Sequence, residues 1–75
     1  MPQSYYVAAS WDPDAGVWIS ESNIPGLVIE ADSLAEFETL MDSLAPEMLA
    51  ANENLHNQSV PVAFRFTGMR EFAVV

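Results

Sequence analysis

The N-terminal part of the chain alternates between apolar and polar positions, a period of two that predicts strands. Strands are expected over residues 4–11, 17–22 and 27–31. In the first of them, Tyr5, Val7, Ala9 and Trp11 share one face. Because the segments between the strands are short, the three strands are predicted to form an antiparallel meander.

Turn-forming residues separate these strands. Asp12 followed by Pro13 suits a type I turn, and Gly16 can take the left-handed conformation that closes a hairpin with a bulge. Pro25 and Gly26 predict a type II turn, because proline fixes φ at about −65° and glycine tolerates the positive φ required next.

A helix is predicted from Ser33 to about Ala51. Ser33 and Glu36 form a Ser-x-x-Glu capping box, in which each side chain can bind an open backbone N–H. Apolar residues then recur at three- and four-residue spacing: Leu34, Phe37, Leu40, Met41, Leu44, Met48 and Leu49. Pro46 interrupts this stripe, so the helix either bends there or a second short helix begins at this proline.

The C-terminal part begins with an Asn-rich loop over residues 52–59 and continues with apolar residues at even positions. These are Val60, Val62, Phe64 and Phe66, with the phase resuming at Phe72 and Val74. One long strand with an irregularity near Gly68 is the preferred interpretation, and a hairpin turning at residues 67–70 is the alternative. The predicted fold is α+β: an antiparallel β-β-β-α-β sheet with one helix on one face, in a single domain spanning residues 1–75.

Composition bears on stability and on partners. The chain has 75 residues, 51% of them hydrophobic, and no cysteine, which excludes disulfides and thiolate metal ligands. A domain this small has a thin margin of stability, so association into a homodimer is expected.

The net charge of −9 predicts no binding to nucleic acid or to anionic membranes, and favours a basic partner if there is a charged one. The simpler alternative is that the acidic residues only maintain solubility. With no signal peptide or membrane span expected, the cytoplasm is the predicted compartment.

No residue suggests catalysis or the binding of a cofactor or metal. His56 lies in a polar loop without partners at a recognisable spacing, and Asp12-Pro13-Asp14 does not fit a calcium loop. Phosphate-binding glycine patterns are absent. The protein is therefore expected not to be an enzyme.

The second face of the predicted sheet is the candidate binding surface. If the helix covers Tyr5, Val7, Ile19, Leu27 and Ile29, then Tyr6, Trp18 and Val28 point away from it and form an apolar patch. Alternatively, the fourth strand or the tail folds over them. The apolar tail over residues 72–75 could pair with another chain, so the expected dimer is joined through this tail or through the second face.

Several of these motifs resemble those of the HicB-like antitoxin superfamily. The likeness covers residues 5–54 and is carried by Trp11 to Trp18, Ile24-Pro25-Gly26-Leu27 and Ala31 to Glu36. It looks closest to a short bacterial branch catalogued as a domain of unknown function. Gly16, Pro25, Gly26, Ser33 and Glu36 are interpreted as determinants of the fold.

The resemblance implies a partial double-stranded-RNA-binding-like fold and a protein that neutralises a small basic ribonuclease toxin by binding it. No helix-turn-helix or basic ribbon is found, so the DNA-binding half of the family's role is not carried over. The expected contact residues are Tyr6, Trp18 and Val28, with Asp14 and Glu30 available to cationic side chains. The alternative is a self-assembling dimeric domain that binds a small molecule or assists an enzyme.

Overall fold

The computed structural model describes residues 4–68 and 72–74, in which one helix packs on one face of a four-stranded sheet. In chain order the elements are β1 (Tyr5–Asp12), β2 (Val17–Ser22), β3 (Glu30–Ala31), α1 (Leu34–Glu53) and β4 (Val62–Thr67). The predicted α+β class, with three strands before the helix and one after it, is confirmed.

The sheet is mixed, with the strand order β3-β2-β1-β4. The first three strands are antiparallel as predicted, but β4 pairs parallel with β1, and Val62 lies opposite Tyr5. The prediction of an antiparallel sheet is therefore corrected at β4. The reason lies in the crossover: β3 runs in the direction of β1, α1 reverses the chain, and β4 reverses it again.

Both predicted turns are confirmed. Gly16 has a φ of +68° and donates its N–H to the carbonyl of Asp12 at 2.8 Å. Gly26 has a φ of +81°, and the N–H of Leu27 donates to the carbonyl of Ile24 at 3.2 Å, as a type II turn requires.

The third strand is shorter than predicted, because Ser20 takes over part of its hydrogen bonding. The amide of Ser20 donates to the carbonyl of Ile29 at 3.0 Å, but the N–H of Ile29 donates to Ser20 Oγ at 2.8 Å. A side chain thus replaces the backbone carbonyl that a ladder would use. Regular pairing remains only at Glu30 and Ala31.

The helix begins and ends at recognisable caps. Ser33 Oγ accepts the N–H of Glu36 at 3.1 Å, which confirms one half of the predicted capping box; among the described residues, the return bond from the Ser33 N–H to the Glu36 side chain does not form. The helix runs without a break through Pro46, so the alternative of a second helix starting there is wrong. It ends at Glu53, where Asn54 adopts the left-handed conformation and donates its N–H to the carbonyl of Leu49.

The core lies between α1 and the sheet. Its buried apolar residues include Tyr5, Val7 and Ala9 of β1, Leu27 and Ile29 before β3, and Phe37, Ala45 and Leu49 of α1. Phe37 and Val7 are fully enclosed, so the helix stripe and the odd-numbered positions of β1 pack as predicted.

The predicted phase of β2 was wrong. Asp12 pairs with Val17 across the hairpin, so Trp11 lies opposite Trp18 and both point to the helix side. Ile19, expected in the core, lies on the opposite face and is 40% exposed. The length of the hairpin loop sets this register.

The predicted long C-terminal strand ends early. Strand β4 stops at Thr67, and residues 72–74 are not in a strand. Phe72 and Val74 are 78% and 91% exposed. The alternative hairpin at 67–70 falls partly on residues 69–70, which lie outside the described part of the chain.

Candidate functional site: an open sheet face and a groove beside the helix

The face of the sheet opposite α1 is here called the outer face. Strand alternation and register place on it Tyr6, Ala8, Ser10, Ile19, Glu21, Glu30, Ala63 and Arg65. No helix or strand of the described residues packs across this face. Small side chains occupy its centre on β1, so a partner could approach the backbone closely there.

Tyr6 is held in place on the outer face from two sides. The guanidinium carbon of Arg65 lies 5.2 Å from the centre of the Tyr6 ring, a cation–π contact. The backbone N–H of Tyr6 donates to Asn23 Oδ1 at 2.9 Å, while Asn23 Nδ2 donates to the carbonyl of Ser4 at 2.7 Å. The backbone of Tyr6 is therefore held by Asn23, and its half-buried ring lies against Arg65.

Acidic side chains lie on the β2 and β3 side of this face, whereas the β4 side carries Arg65. Glu30 lies directly opposite Ile19, and Glu21 lies opposite Ala8 on the neighbouring strand. At the hairpin end, the Asp12 carboxylate accepts the N–H groups of Asp14 and Ala15 at 3.0 and 3.3 Å. Asp12 thus stabilises the turn, which leaves the exposed Asp14 as its outward acidic group.

The predicted contact residues do not form one patch. Tyr6 and Glu30 share the outer face, Asp14 lies in the hairpin loop, and Val28 is 80% exposed in the segment before β3. Trp18 lies on the helix side, where its ring centre is 5.4 Å from that of Trp11 and 6.3 Å from that of Phe66. Its assignment to the second face is wrong, and Ile19 takes that place.

A groove between α1 and β4 is a second candidate surface, and the sequence analysis missed it. It has a volume of about 700 Å³ and is lined by Met41, Ala45, Leu49, Leu55, Val62 and Phe64, among others. Phe37 stacks on Phe64 with ring centres 6.1 Å apart. The groove opens beside that contact, between α1 and the start of β4. This set of residues is called the helix–β4 groove below.

The polar groups near the groove form local contacts. His56 is exposed, and its Nε2 lies 3.2 Å from Asn54 Oδ1. Among residues 4–68 and 72–74, no group of three or more His, Asp or Glu side chains is placed to hold a metal ion.

Tyr5 donates its hydroxyl to Glu53 Oε1 at 3.1 Å; burial first, and then this carboxylate, raise the pKa of Tyr5 above its ordinary value. This bond joins β1 to the end of α1.

The fold and these surfaces define a small α+β domain in which one helix covers only part of a mixed sheet. The described part of the chain contains no helix with the length and apolar character needed to cross a membrane. The chain belongs to the family described as domain of unknown function DUF1902, whose model matches residues 4–74.

A solved structure is similar over nearly the whole chain. It is the crystal structure of a hypothetical protein from the extremely thermophilic bacterium Thermus thermophilus, with 34% identity and a TM-score of 0.74. The match covers 93% of this chain and 100% of that chain. No curated protein matched significantly. Membership of a family of unknown function is thus confirmed, whereas the likeness to HicB-like antitoxins stays a prediction.

Proposed function

We propose that this protein is a non-catalytic binding module of the cytoplasm that occludes a basic protein partner, as HicB-like antitoxins do. The observation that carries the proposal is the uncovered outer face, where Glu21 and Glu30 flank the exposed Ile19, and Tyr6 lies further along β1 toward the other end of the same face. An apolar and aromatic centre with a charged rim is the usual composition of a protein interface.

Charge favours a basic partner. The whole chain carries a net charge of −9, with two Arg and no Lys. A cationic partner is attracted over a distance of about one Debye length, roughly 8 Å at physiological salt, which accelerates encounter. A small basic ribonuclease has this property, whereas a nucleic acid or an anionic membrane would be repelled.

The contact residues have different expected roles. Tyr6 supplies aromatic area at one end of the outer face, and Glu30 meets cationic side chains at the other end, next to Ile19. Asp14 and Val28 are exposed at the periphery and would contact only a partner larger than the sheet. Trp18, on the helix side, is assigned a packing role with Trp11 rather than a contact.

The motif residues of the HicB resemblance support the proposal through the fold. Gly16 and Gly26 adopt the positive φ values that their turns need, and Ser33 caps the helix at Glu36. These residues shape the meander whose outer face is left open. None of them contributes a reactive group.

The test is co-expression with the product of any neighbouring gene that encodes a short basic protein. A soluble complex that suppresses that protein's ribonuclease activity is expected. Tyr6→Ala should weaken the complex about 30-fold or more, as loss of an interface hot spot does. Glu30→Arg should slow association and make it less sensitive to salt.

The matched control is Glu38→Arg, which makes the same change of charge at an exposed position of α1. It should leave the complex nearly unchanged. If no complex forms with any basic neighbour, or if both glutamate variants weaken it equally, the outer face is not the binding site.

A second candidate function is binding of a small apolar molecule, and the helix–β4 groove favours it. Its volume of about 700 Å³ falls in the range of known ligand sites, about 300 to 1,000 Å³. A ligand bound there should raise the Tm, and Ala50→Trp, which fills the groove, should abolish the rise. A broad panel of metabolites without effect on the Tm would count against it.

A further inference from the structure

We infer that the helix–β4 groove and the free edge of β4 are occupied by a second copy of this chain. In this dimer the two β4 strands pair antiparallel, and Phe72 and Val74 of each copy enter the groove of the other. The inference concerns a different surface from the outer face and does not depend on partner binding there. It replaces the small molecule as the occupant of the groove.

The first observation is the unpaired edge of β4. This strand pairs with β1 on one side, and within residues 4–68 and 72–74 no strand pairs with its other side. Its helix-side residues are apolar, and Phe66 is 62% exposed. An exposed edge with an apolar face is a template for pairing with another strand.

Symmetry and charge limit the possible arrangements. A two-fold axis normal to the sheet makes the two β4 strands antiparallel neighbours and keeps both helices on the same side. Residues directly opposite each other then point to the same face. Centring the pair on Phe64 places it opposite its own copy and places Val62 opposite Phe66 of the second copy. Centring on Arg65 would oppose two guanidinium groups, which is unfavourable.

The groove explains why pairing of the two β4 strands alone would not give a stable dimer. The helix–β4 groove exposes part of the helix-side surface of β4 in each copy. Joining two copies at β4 therefore leaves a gap between the two helices, with Val62 and Phe64 on its floor. Apolar side chains must fill this gap for the pair to be stable.

Phe72 and Val74 are the residues suited to fill it. They are 78% and 91% exposed, so they do not occupy the groove of their own chain. The groove lies at the start of β4, near Val62, whereas the tail follows its end at Thr67. Antiparallel pairing brings the tail of one copy past the start of β4 in the other.

Light scattering and sedimentation of the full chain at micromolar concentration test the dimer. The wild type should have twice the monomer mass, and the double variant Phe72→Asp, Val74→Asp should raise the dimer dissociation constant about 30-fold or more. Val28→Asp is the matched control, because Val28 is equally apolar and 80% exposed beside the opposite edge of the sheet. It should leave the mass unchanged.

Cross-linking tests the location of the tail. The chain has no cysteine, so a disulfide can form only between introduced residues. Phe72→Cys combined with His56→Cys, an exposed groove residue, should give a covalent dimer on a non-reducing gel. Phe72→Cys combined with Val28→Cys should not.

Three outcomes would overturn the inference: a monomeric wild type, a dimer that survives the two aspartates, or a disulfide between residues 56 and 72 of the same chain. Because Phe72 and Val74 are exposed, the aspartates should not disturb the monomer fold, and circular dichroism checks this. None of these outcomes bears on the outer face, so failure of this inference is distinct from failure of the proposed function.

Discussion

Gly16 and Gly26 both have positive φ, at +68° and +81°, but their surroundings differ. A Cβ at Gly16 would meet no atom within 4 Å, whereas one at Gly26 would lie 2.8 Å from Asn52 Nδ2 and 3.2 Å from Met48 Sδ. Asn52 Nδ2 donates to the carbonyl of Pro25 at 2.8 Å, so a Cβ there would also displace a bond between helix and turn. The same substitution should therefore have unequal effects.

We predict that Gly16→Ala lowers the free energy of unfolding by about 1 to 2 kcal/mol, the cost of a left-handed L-residue. Gly26→Ala should lower it further, because strain, steric overlap and the lost Asn52 bond combine. Urea unfolding followed by circular dichroism measures both values. Equal losses in the two variants would contradict the proposed role of the Asn52 contact.

Tyr5 makes a second prediction at the scale of one residue. Burial and the hydrogen bond to Glu53 raise the pKa of Tyr5 above 10.0. At a pH between the unfolded and the folded pKa, the Tyr5 hydroxyl is therefore protonated in the folded chain and deprotonated in the unfolded chain. The resulting stability is complete below the unfolded pKa of about 10 and is lost as pH rises through the folded pKa. The free energy of unfolding should fall less steeply above about pH 10 in Tyr5→Phe than in the wild type. Equal slopes in the two proteins would exclude this effect.

At the scale of elements, the determinants that could be predicted from the sequence are local ones. Pro25 with Gly26 specifies a turn, and Ser33 with Glu36 starts a helix, because each acts within four residues. The direction of β4 depends instead on the whole crossover through α1. The side on which Trp18 lies depends on the pairing of Asp12 with Val17, and a one-residue error in this register inverts the faces.

Pro46 gives the prediction at this scale. It lies inside a continuous helix, removes one backbone hydrogen bond and is exposed. Pro46→Ala should raise the free energy of unfolding, by up to about 3 kcal/mol. Pro13→Ala, in the hairpin loop where proline suits a type I turn, is the control and should be neutral or slightly destabilising. A loss of stability in Pro46→Ala would mean that the proline is required for packing along the groove, which it lines.

At the scale of the whole molecule, the helix–β4 groove could not be predicted, because a stripe of apolar residues does not tell where the helix lies across the sheet. Met41 and Leu49 belong to the stripe that was expected to pack on the sheet, and Ala45 was not singled out. All three line the groove. The outer face could be predicted in part. Tyr6 and Glu30 are on it, but Arg65, which contacts Tyr6, was not recognised.

Net charge gives the prediction for the whole molecule. With a charge of −9 on 75 residues, the folded chain repels itself, and salt screens this repulsion. The Tm should rise between low ionic strength and about 0.15 M NaCl. Glu38→Gln, which removes one exposed charge, should reduce that rise. A Tm that falls with salt would show that attractive ion pairs outweigh the repulsion.

The hydrogen bond from the N–H of Ile29 to Ser20 Oγ limits β3 to two residues, so the two edges of the sheet are unequal. The edge at β3 is too short to pair with a strand of another chain, whereas the edge at β4 has six consecutive residues. A subunit with only one edge strand long enough to pair can bind one further subunit through its sheet. Open-ended growth into fibrils, the usual danger for a small apolar β protein, has no second attachment point from which to propagate.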